Sequence, residues 1–151
     1  MASSVPERVA PTRDDMLALL QRRRAAWDAG DAVALAATHA EKGVVISPTG
    51  GVLEGRAEIE RIYRLWFSAF TGMRFREDEV LIDGNRIAQI ATFGGTHAGD
   101  FFGLAPTGRQ VEVQVALVMT VVDGLVVEER RIYDFTGVLI KVGVLKAKPV
   151  S

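Results

Sequence analysis

The chain has 151 residues, 48% of them hydrophobic, and a formal net charge of −1 at pH 7. This size and apolar fraction predict one domain with a substantial core, and the near-neutral charge argues against a nucleic-acid-binding protein, which would normally be basic. The sequence has no cysteine and no HExxH pair, so disulfides are excluded and no metal site is expected. No apolar run reaches ~18 residues and no apolar signal core is present, so we expect a cytoplasmic protein without a membrane partner.

Helical signals begin near the N-terminus. Residues 1–11 are small and polar with two prolines and are predicted to form a flexible arm. Thr12 has an acidic residue three positions later, the spacing of a capping box, and a helix is predicted from there to about Ala29. The run Arg22-Arg23-Arg24 is interpreted as a solvated face. The predicted apolar side of the helix is a stripe formed by Leu17, Leu20, Arg24 and Trp27.

Two further helices are predicted before residue 73. Asp31 is expected to cap a short helix that ends at about His39, which is interpreted as a structural histidine. Residues 43–47 predict a short strand, and 48–51 predict a turn. From Gly55 to Gly72 a third helix is predicted, with an apolar stripe of Ile59, Ile62, Tyr63, Trp66 and Phe70.

After Gly72 the hydrophobic period changes from about 3.6 to about 2, which indicates strands. Residues 74–82 and 86–96 are predicted to pair around Asp83-Gly84-Asn85, and a loop follows at 97–108. A longer hairpin, 109–134, turns at Asp123-Gly124, a dipeptide typical of two-residue loops. Residues 135–144 predict a closing helix, and 146–151 a tail. Helices followed by antiparallel strands predict an α+β fold.

The register of the long hairpin determines which side chains face the core. A two-residue loop places Leu117 opposite Arg130, and directly opposed residues share a face. A bulge between the turn and Arg130 would exchange the two faces, because side chains alternate along a strand. Without a bulge, the inward face is predicted to carry Val113, Val115, Leu117, Met119, Val121, Val126 and Ile132, together with Glu128, Arg130 and Asp134.

Several motifs are shared with a known superfamily. They are Ala29-Gly30-Asp31, Gly55-Arg56, Gly95-Thr96-His97-Ala98-Gly99-Asp100-Phe101, Pro106-Thr107-Gly108-Arg109, Asp123-Gly124-Leu125-Val126-Val127-Glu128 and Tyr133-Asp134-Phe135-Thr136-Gly137. On these motifs the chain resembles the nuclear transport factor 2-like superfamily from about residue 14 to 148, and within it the SnoaL-like polyketide cyclase group.

The resemblance implies one cone-shaped domain over residues 12–145. Three N-terminal helices would pack on a strongly curved antiparallel sheet, and a short C-terminal helix would follow. The cone would enclose an apolar pocket. The resemblance also implies a homodimer formed through the convex face, and the residues expected near that contact are Val118, Thr120, Val127, Arg131 and Tyr133.

The chain departs from its relatives where they hold catalytic groups. Leu117 stands where SnoaL-like cyclases and ketosteroid isomerases keep a carboxylic acid, and we expect it to line the cavity. Ser47 replaces the general-base Asp of the isomerases, and Arg23 takes the place of their oxyanion-hole Tyr, so their mechanism is excluded. The limonene epoxide hydrolases have Arg and Asp where this chain has Val115 and Leu117, and Asp134 matches the Asp on their last strand.

Three residues are the candidate catalytic groups: Asp134, Arg130 and His97. Arg130 would hold an anionic or enolate-like oxygen, Asp134 would move a proton, and His97 could act as an acid or base. The structural alternatives are a Glu128–Arg130 ion pair, a helix N-cap at Asp134 and a histidine that hydrogen-bonds the next loop. The predicted substrate-binding residues are Trp27, Tyr63, Trp66, Phe67, Phe101, Val115, Leu117 and Met119.

Three functions follow from the resemblance, none of which requires a cofactor or a metal. The first is an isomerase, cyclase, lyase or hydrolase acting on an apolar polyketide- or terpenoid-like molecule. The second is a non-catalytic protein that binds or carries such a molecule, which the loss of the acid at Leu117 favours. The third is a dimeric interaction module with a filled core, which a cavity too small for a bicyclic ligand would favour.

Overall fold

The computed structural model of the protein describes residues 10–146. Residues 1–9 of the predicted arm and 147–151 of the predicted tail lie outside the described part. The helices are α1 (Arg13–Ala29), α2 (Ala32–Ala37), α3 (Arg56–Ala69) and α4 (Phe135–Lys141). The strands are β1 (His39–Ser47), β2 (Gly51–Glu54), β3 (Phe70–Asp83), β4 (Arg86–His97), β5 (Gln110–Val122) and β6 (Leu125–Ile132). Within residues 10–146, no helix combines the length and the apolar character that a bilayer crossing requires.

The six strands form one curved sheet in the order β2-β1-β6-β5-β4-β3. Neighbouring strands run antiparallel except β1 and β6, which are parallel. The predicted α+β class is confirmed. The sequence pattern did not predict β2, a four-residue edge strand, and it placed the start of β1 too late.

Helix α1 begins as predicted but presents a different side to the core. Thr12 Oγ1 accepts a hydrogen bond from the Asp15 N–H at 3.1 Å, and the Asp15 carboxylate accepts one from the Thr12 N–H at 2.9 Å. Leu17 is 43% exposed and the side chain of Arg24 is 49% exposed, so the predicted stripe was wrong at these positions. The buried stripe consists of Met16, Leu19, Leu20, Arg23 and Ala26, and it turns one arginine of the run toward the interior.

The inner face of the sheet carries the core. Every second residue of β5 from Val111 to Val121 is buried, as the predicted register requires. Two adjoining apolar clusters cover this face, one around Tyr63 and Trp66 and the other around Leu19 and Met119. Full burial of one such aliphatic or aromatic side chain stabilises the fold by roughly 1.5–3 kcal/mol. Between the two clusters lies the space described next.

Candidate functional site

A β-bulge in β6 decides which side chains of the long hairpin face the interior. Beside the turn, Val121 pairs with Val126, as a two-residue loop requires. The next pair is Thr120 with Glu128, so Val127 has no residue opposite it. Because side chains alternate along a strand, one extra residue exchanges the two faces of β6 beyond this point.

The predicted inward positions of Arg130 and Asp134 are wrong for this reason. The Arg130 side chain is 60% exposed, and its Nε lies 3.6 Å from Oε1 of Glu128, which also faces solvent. Ile132, predicted to be inside, is 59% exposed. Asp134 is exposed and caps α4, its Oδ1 accepting a hydrogen bond from the Gly137 N–H at 2.9 Å. The observed geometry is that of the structural alternatives for both residues.

In their place, the bulge turns Glu129 and Arg131 inward, where they join a buried polar cluster. Arg23 Nη2 donates to Glu129 Oε1 at 2.5 Å, and Arg131 Nε donates to Glu129 Oε2 at 2.8 Å. The Tyr63 hydroxyl lies 2.9 Å from His39 Nε2, and Arg23 Nη1 lies 3.2 Å from the same nitrogen. The Arg131 guanidinium also stacks over the Tyr63 ring, 4.8 Å from its centroid. The cluster therefore joins Arg23 of α1, His39 of β1 and Tyr63 of α3 to Glu129 and Arg131 of β6.

The contacts determine the protonation states in this cluster. A guanidinium only donates, so His39 Nε2 accepts, and the proton of the neutral ring is on Nδ1. Burial lowers the pKa of His39 to about 3, which keeps the ring neutral at pH 7. Burial alone would raise the pKa of Glu129, but Arg23 and Arg131 outweigh it and lower that pKa to about 2. Glu129 is therefore an ionised structural partner and a poor proton acceptor at neutral pH.

Next to this cluster lies a small, mostly apolar cavity. Its polar border is formed by Arg131 and Tyr133, and the Tyr133 hydroxyl lies 2.8 Å from Thr49 Oγ1. Two buried N–H donors on cavity-lining residues have no hydrogen-bond partner, Arg131 Nη2 and Trp27 Nε1. The cavity is lined by Trp27, Trp66, Met73, Phe93, Val115, Leu117, Arg131 and Tyr133.

The cavity is nearly filled by its own walls. Its volume is about 30 Å³, room for a water molecule, whereas sites for drug-sized ligands occupy roughly 300–1,000 Å³. Trp27 contributes to the filling, since its ring stacks on Phe75 with 5.1 Å between centroids. A bicyclic ligand can enter only if lining side chains move.

A larger hollow of about 770 Å³ lies on the outer face of the sheet, over β3, β4 and β5. Two exposed arginines line it, Arg74 and Arg76, and Arg76 is paired with Asp78 at 2.8 Å. Among the described residues, none that lines this hollow has a buried polar atom without a partner. The inner cavity is therefore the better candidate site in spite of its smaller volume.

Four of the predicted substrate-binding residues border the inner cavity. The prediction that Leu117 faces the interior agrees with the structure, in which it is 3% exposed and stands opposite Arg131. The remaining lining residues from the prediction are Trp27, Trp66 and Val115. The others lie in the surrounding core or in the polar cluster: Tyr63, Phe67, Phe101 and Met119. A role in binding stays a prediction for each of them.

The third candidate catalytic residue, His97, lies apart from this cavity. It is fully buried, and its Nδ1 accepts a hydrogen bond from the Thr107 N–H at 3.3 Å. Its ring packs against Phe70 and Phe101, with 5.5 and 6.3 Å between centroids. His97 thus holds the loop between β4 and β5, as its structural alternative describes, and its catalytic role stays a prediction.

Sequence reasoning missed the polar cluster. For Arg23 two signals were present: it follows Leu19 and Leu20 at helical spacing, and it occupies the position of a catalytic tyrosine in relatives. For Glu129 and Arg131 the local pattern gave no signal, since the bulge that turns them inward has no distinctive turn residue.

The chain was compared with known protein families and solved structures. The sequence profile of the SnoaL-like polyketide cyclase family matches residues 18–141. No curated protein matches the chain. Among solved structures, AclR, a proposed hydroxylase from Streptomyces galilaeus, is 25% identical, with a TM-score of 0.79 and 91% of each chain covered.

Two further solved structures have the same fold. A proposed SnoaL-like polyketide cyclase from Jannaschia sp. CCS1 is 21% identical, with a TM-score of 0.80 over 93% of this chain and 99% of that one. IdmH, a proposed polyketide cyclase from Streptomyces antibioticus, is 24% identical, with a TM-score of 0.71 over 85% and 98% of the chains. With a nuclear transport factor 2-like fold and a family profile that spans most of its length, the chain belongs to the SnoaL-like polyketide cyclase family.

Proposed function

We propose that the protein binds a polyketide-like small molecule in the inner cavity and holds one of its carbonyl-type oxygens at Arg131 Nη2 and Trp27 Nε1. The observation that carries this proposal is that two buried donors without partners sit on residues lining one apolar cavity. A buried donor left unpaired costs roughly 1–3 kcal/mol. Five buried side-chain polar atoms of the described residues have no partner, and these two are the ones on residues that line the cavity. An acceptor oxygen of a ligand would satisfy both.

The apolar walls fit the rest of such a molecule. Trp66, Phe93 and Met73 border the cavity, and Met73 and Phe93 are only half-buried. Methionine is flexible and adapts to irregular shapes, so this side is the one we expect to open when a ligand enters. Family membership and the resemblance to proposed cyclases support a polyketide-like ligand.

The same donors suit cofactor-free enolate chemistry. When a proton leaves the carbon beside a carbonyl, negative charge builds on the oxygen, and fixed donors in a dry site stabilise it. The proton would pass to a group other than Leu117 or Glu129, since the first is apolar and the second is paired with two guanidiniums. Tyr133 borders the cavity, and its hydroxyl is hydrogen-bonded to Thr49 Oγ1. It is the candidate proton relay: its oxygen would take the ligand proton as its own proton passes to Thr49 and from Thr49 to water.

A second candidate function is a dimeric interaction module with a filled core. The volume of about 30 Å³ favours it, because a packed interior needs no ligand. The two functions are distinguished by ligand binding: the first requires that a small molecule bind in the inner cavity, whereas an interaction module binds none there.

Binding is tested with 2-tetralone, a bicyclic ketone that is neutral and enolisable. We expect it to shift the indole N–H signal of Trp27 in ¹H–¹⁵N spectra, with the Trp66 signal identified in a Trp66→Phe variant. Arg131→Met should weaken binding by about tenfold, the effect of one lost hydrogen bond of about 1.4 kcal/mol. The matched control is Arg130→Met, whose side chain faces solvent on the same strand. Absence of any shift at millimolar ketone would favour the interaction module.

Catalysis is tested separately in D₂O. If Tyr133 carries the proton, the protein accelerates deuterium exchange at the carbons beside the carbonyl of 2-tetralone. Tyr133→Phe should abolish that acceleration while ketone binding persists. Binding without accelerated exchange would mean a carrier rather than an enzyme.

A further inference from the structure

The polar cluster beside the cavity carries more positive than negative charge. Arg23 and Arg131 are both buried, with side chains 3% and 8% exposed, and share Glu129 as their carboxylate. Both oxygens of Glu129 are occupied, one by each guanidinium. Within residues 10–146 neither arginine forms a salt bridge with another carboxylate. The cluster therefore holds one positive charge that its own side chains do not neutralise.

The other groups facing the cluster do not remove this surplus. His39 is neutral by its hydrogen bonds and adds no charge of either sign. Tyr63 presents its aromatic ring to the Arg131 guanidinium, and Tyr133 lines the cavity beside Arg131; neither supplies a carboxylate. Arg56, which donates to the carbonyl oxygen of His39, adds a further cation nearby. A buried charge without a counterion is unfavourable, and an anion in contact with it relieves the cost.

Only one of the two arginines lines the cavity, and it is Arg131, although Arg23 also has a buried nitrogen, Nε, without a partner. Arg23 uses both terminal nitrogens, one toward Thr38 and His39 and the other toward Tyr63 and Glu129. Arg131 uses only its Nε in a hydrogen bond, and it lines the cavity with Nη2 unpartnered. The unneutralised cation therefore belongs to a residue that lines the cavity in which a ligand oxygen would lie.

We infer that the inner cavity selects ligands whose bound oxygen is negatively charged, an enolate, phenolate or carboxylate, over neutral molecules of the same shape. This inference rests on the proposed function and adds the charge of the ligand to it. An acidic enol or phenol would bind as its anion, with Arg131 as counterion and Trp27 Nε1–H as the second donor. The cavity then promotes loss of a proton from the ligand without a free carboxylate in its walls.

The test compares 4-nitrophenol, whose phenol and phenolate absorb at different wavelengths, with 4-nitroanisole, its neutral methyl ether. At a pH about one unit below the pKa of the free phenol, we expect the bound probe to show the phenolate spectrum. Its apparent pKa should be lower by about one unit or more, which equals at least about tenfold tighter binding of the anion. A second arm compares 4-nitrobenzoate with 4-nitrobenzamide and distinguishes a carboxylate ligand from a phenolate or enolate.

Variants assign the effect to Arg131. Arg131→Met removes the surplus charge and leaves Arg23 and Glu129 as a neutral pair, so the preference for the anion should disappear. Arg131→Lys keeps the charge and should retain most of the preference. Arg130→Met, the matched surface control, should behave as the wild type. The circular dichroism spectrum of Arg131→Met is compared with that of the wild type to verify that the variant is folded.

The outcomes separate this inference from the proposed function. If the neutral and anionic members of both pairs bind equally well, the cavity binds small molecules but the inference is wrong. If none of the four probes and no 2-tetralone binds, both proposals are wrong. If Arg131→Met retains the preference for the anion, the charge lies elsewhere and the inference is overturned.

Discussion

Glu129 is the residue on which the buried charges depend. Its two carboxylate oxygens accept hydrogen bonds from two different guanidiniums, and its side chain is fully buried. Replacement of a buried ion-pair partner leaves charge in a medium that solvates it poorly, and typically costs about 3–5 kcal/mol. The contribution of Glu129 to the stability of the fold comes from these two ion pairs, whether or not the residue takes part in a reaction.

We expect Glu129→Gln to destabilise the protein by about 3–5 kcal/mol, since both guanidiniums would lose their counterion. For a domain of this size the melting temperature should fall by roughly 10 °C. Glu128→Gln is the matched control, because Glu128 is exposed on the same strand, and it should change the melting temperature little. Calorimetry of the three proteins measures the effect, and equal melting temperatures would contradict the buried network.

His39 makes stability depend on pH. Its pKa is about 3 in the folded protein and 6.5 in the unfolded chain, so only the unfolded chain takes up a proton between these values. Unfolding therefore becomes easier as the pH falls below about 6.5, at a limiting slope of about 1.4 kcal/mol per pH unit. Glu129, with its lowered pKa, adds to acid sensitivity in the same direction below about pH 4.5.

We expect the free energy of unfolding of the wild type, measured in urea, to fall between pH 6.5 and pH 5. His39→Gln keeps a hydrogen-bond acceptor but cannot be protonated in this range, so its free energy should vary less with pH. The slope is compared rather than the absolute stability, because the substitution also changes packing. Equal slopes in the two proteins would show that the pKa of His39 is the same in the folded and the unfolded state.

At the scale of elements, the β6 bulge shows what the sequence could and could not predict. The hairpin, its Asp123-Gly124 turn and the inward face of β5 were predicted correctly, because turn chemistry and alternation are local properties. The inward face of β6 was predicted wrongly, because the bulge depends on how β6 pairs with β5. Nothing in the local sequence marks Val127 as the extra residue. One unpaired residue was enough to replace Arg130 by Arg131 in the candidate site.

Helix α1 shows the same limit in another form. Its cap and length were predicted correctly, but the side of the helix that faces the core was not. The apolar pattern allows either Leu17 or Leu19 to face the core. Burial of Met16, Leu19 and Leu20 together decides between the two rotations and brings Arg23 inside. The α+β class and the inward face of β5 follow from the local pattern, whereas the charged groups of the candidate site depend on contacts between distant segments.

The N-cap of α4 is a test at the element scale. Asp134→Ala should destabilise the protein by about 1 kcal/mol, because the Gly137 N–H loses its acceptor. Asp134→Asn is the matched control, since asparagine caps helices about as well as aspartate. Neither variant should change the affinity for 2-tetralone, measured by the same spectra. A loss of ligand binding in Asp134→Asn without a change in melting temperature would return Asp134 to the list of functional residues.

At the scale of the whole molecule, the outer face of the sheet carries an apolar band. Ile90, Ala116 and Ile132 stand side by side across three strands, and Ile132 is 59% exposed. Val118, predicted to lie near a dimer contact, is on this face. Arg131 and Tyr133, predicted to lie there too, border the inner cavity instead, because the bulge exchanged them.

We expect a homodimer that buries this band, with a mass in light scattering of about twice the 16.4 kDa of one chain at micromolar concentration. Ile132→Glu should shift the protein toward the monomer by placing a charge in the contact. Val52→Glu is the control, because Val52 is 60% exposed on the edge strand β2, away from the band. A wild-type monomer at this concentration would contradict the expectation.

The chain has only two tryptophans, and both form walls of the same small cavity. Their intrinsic fluorescence therefore reports almost exclusively on that one place. Any molecule that displaces the Trp27 ring from Phe75, or the Trp66 ring from Phe93, alters the emission of the whole protein without a label. A compound library can be screened by emission alone, without a label on either molecule, because both tryptophans stand in the walls of the inner cavity.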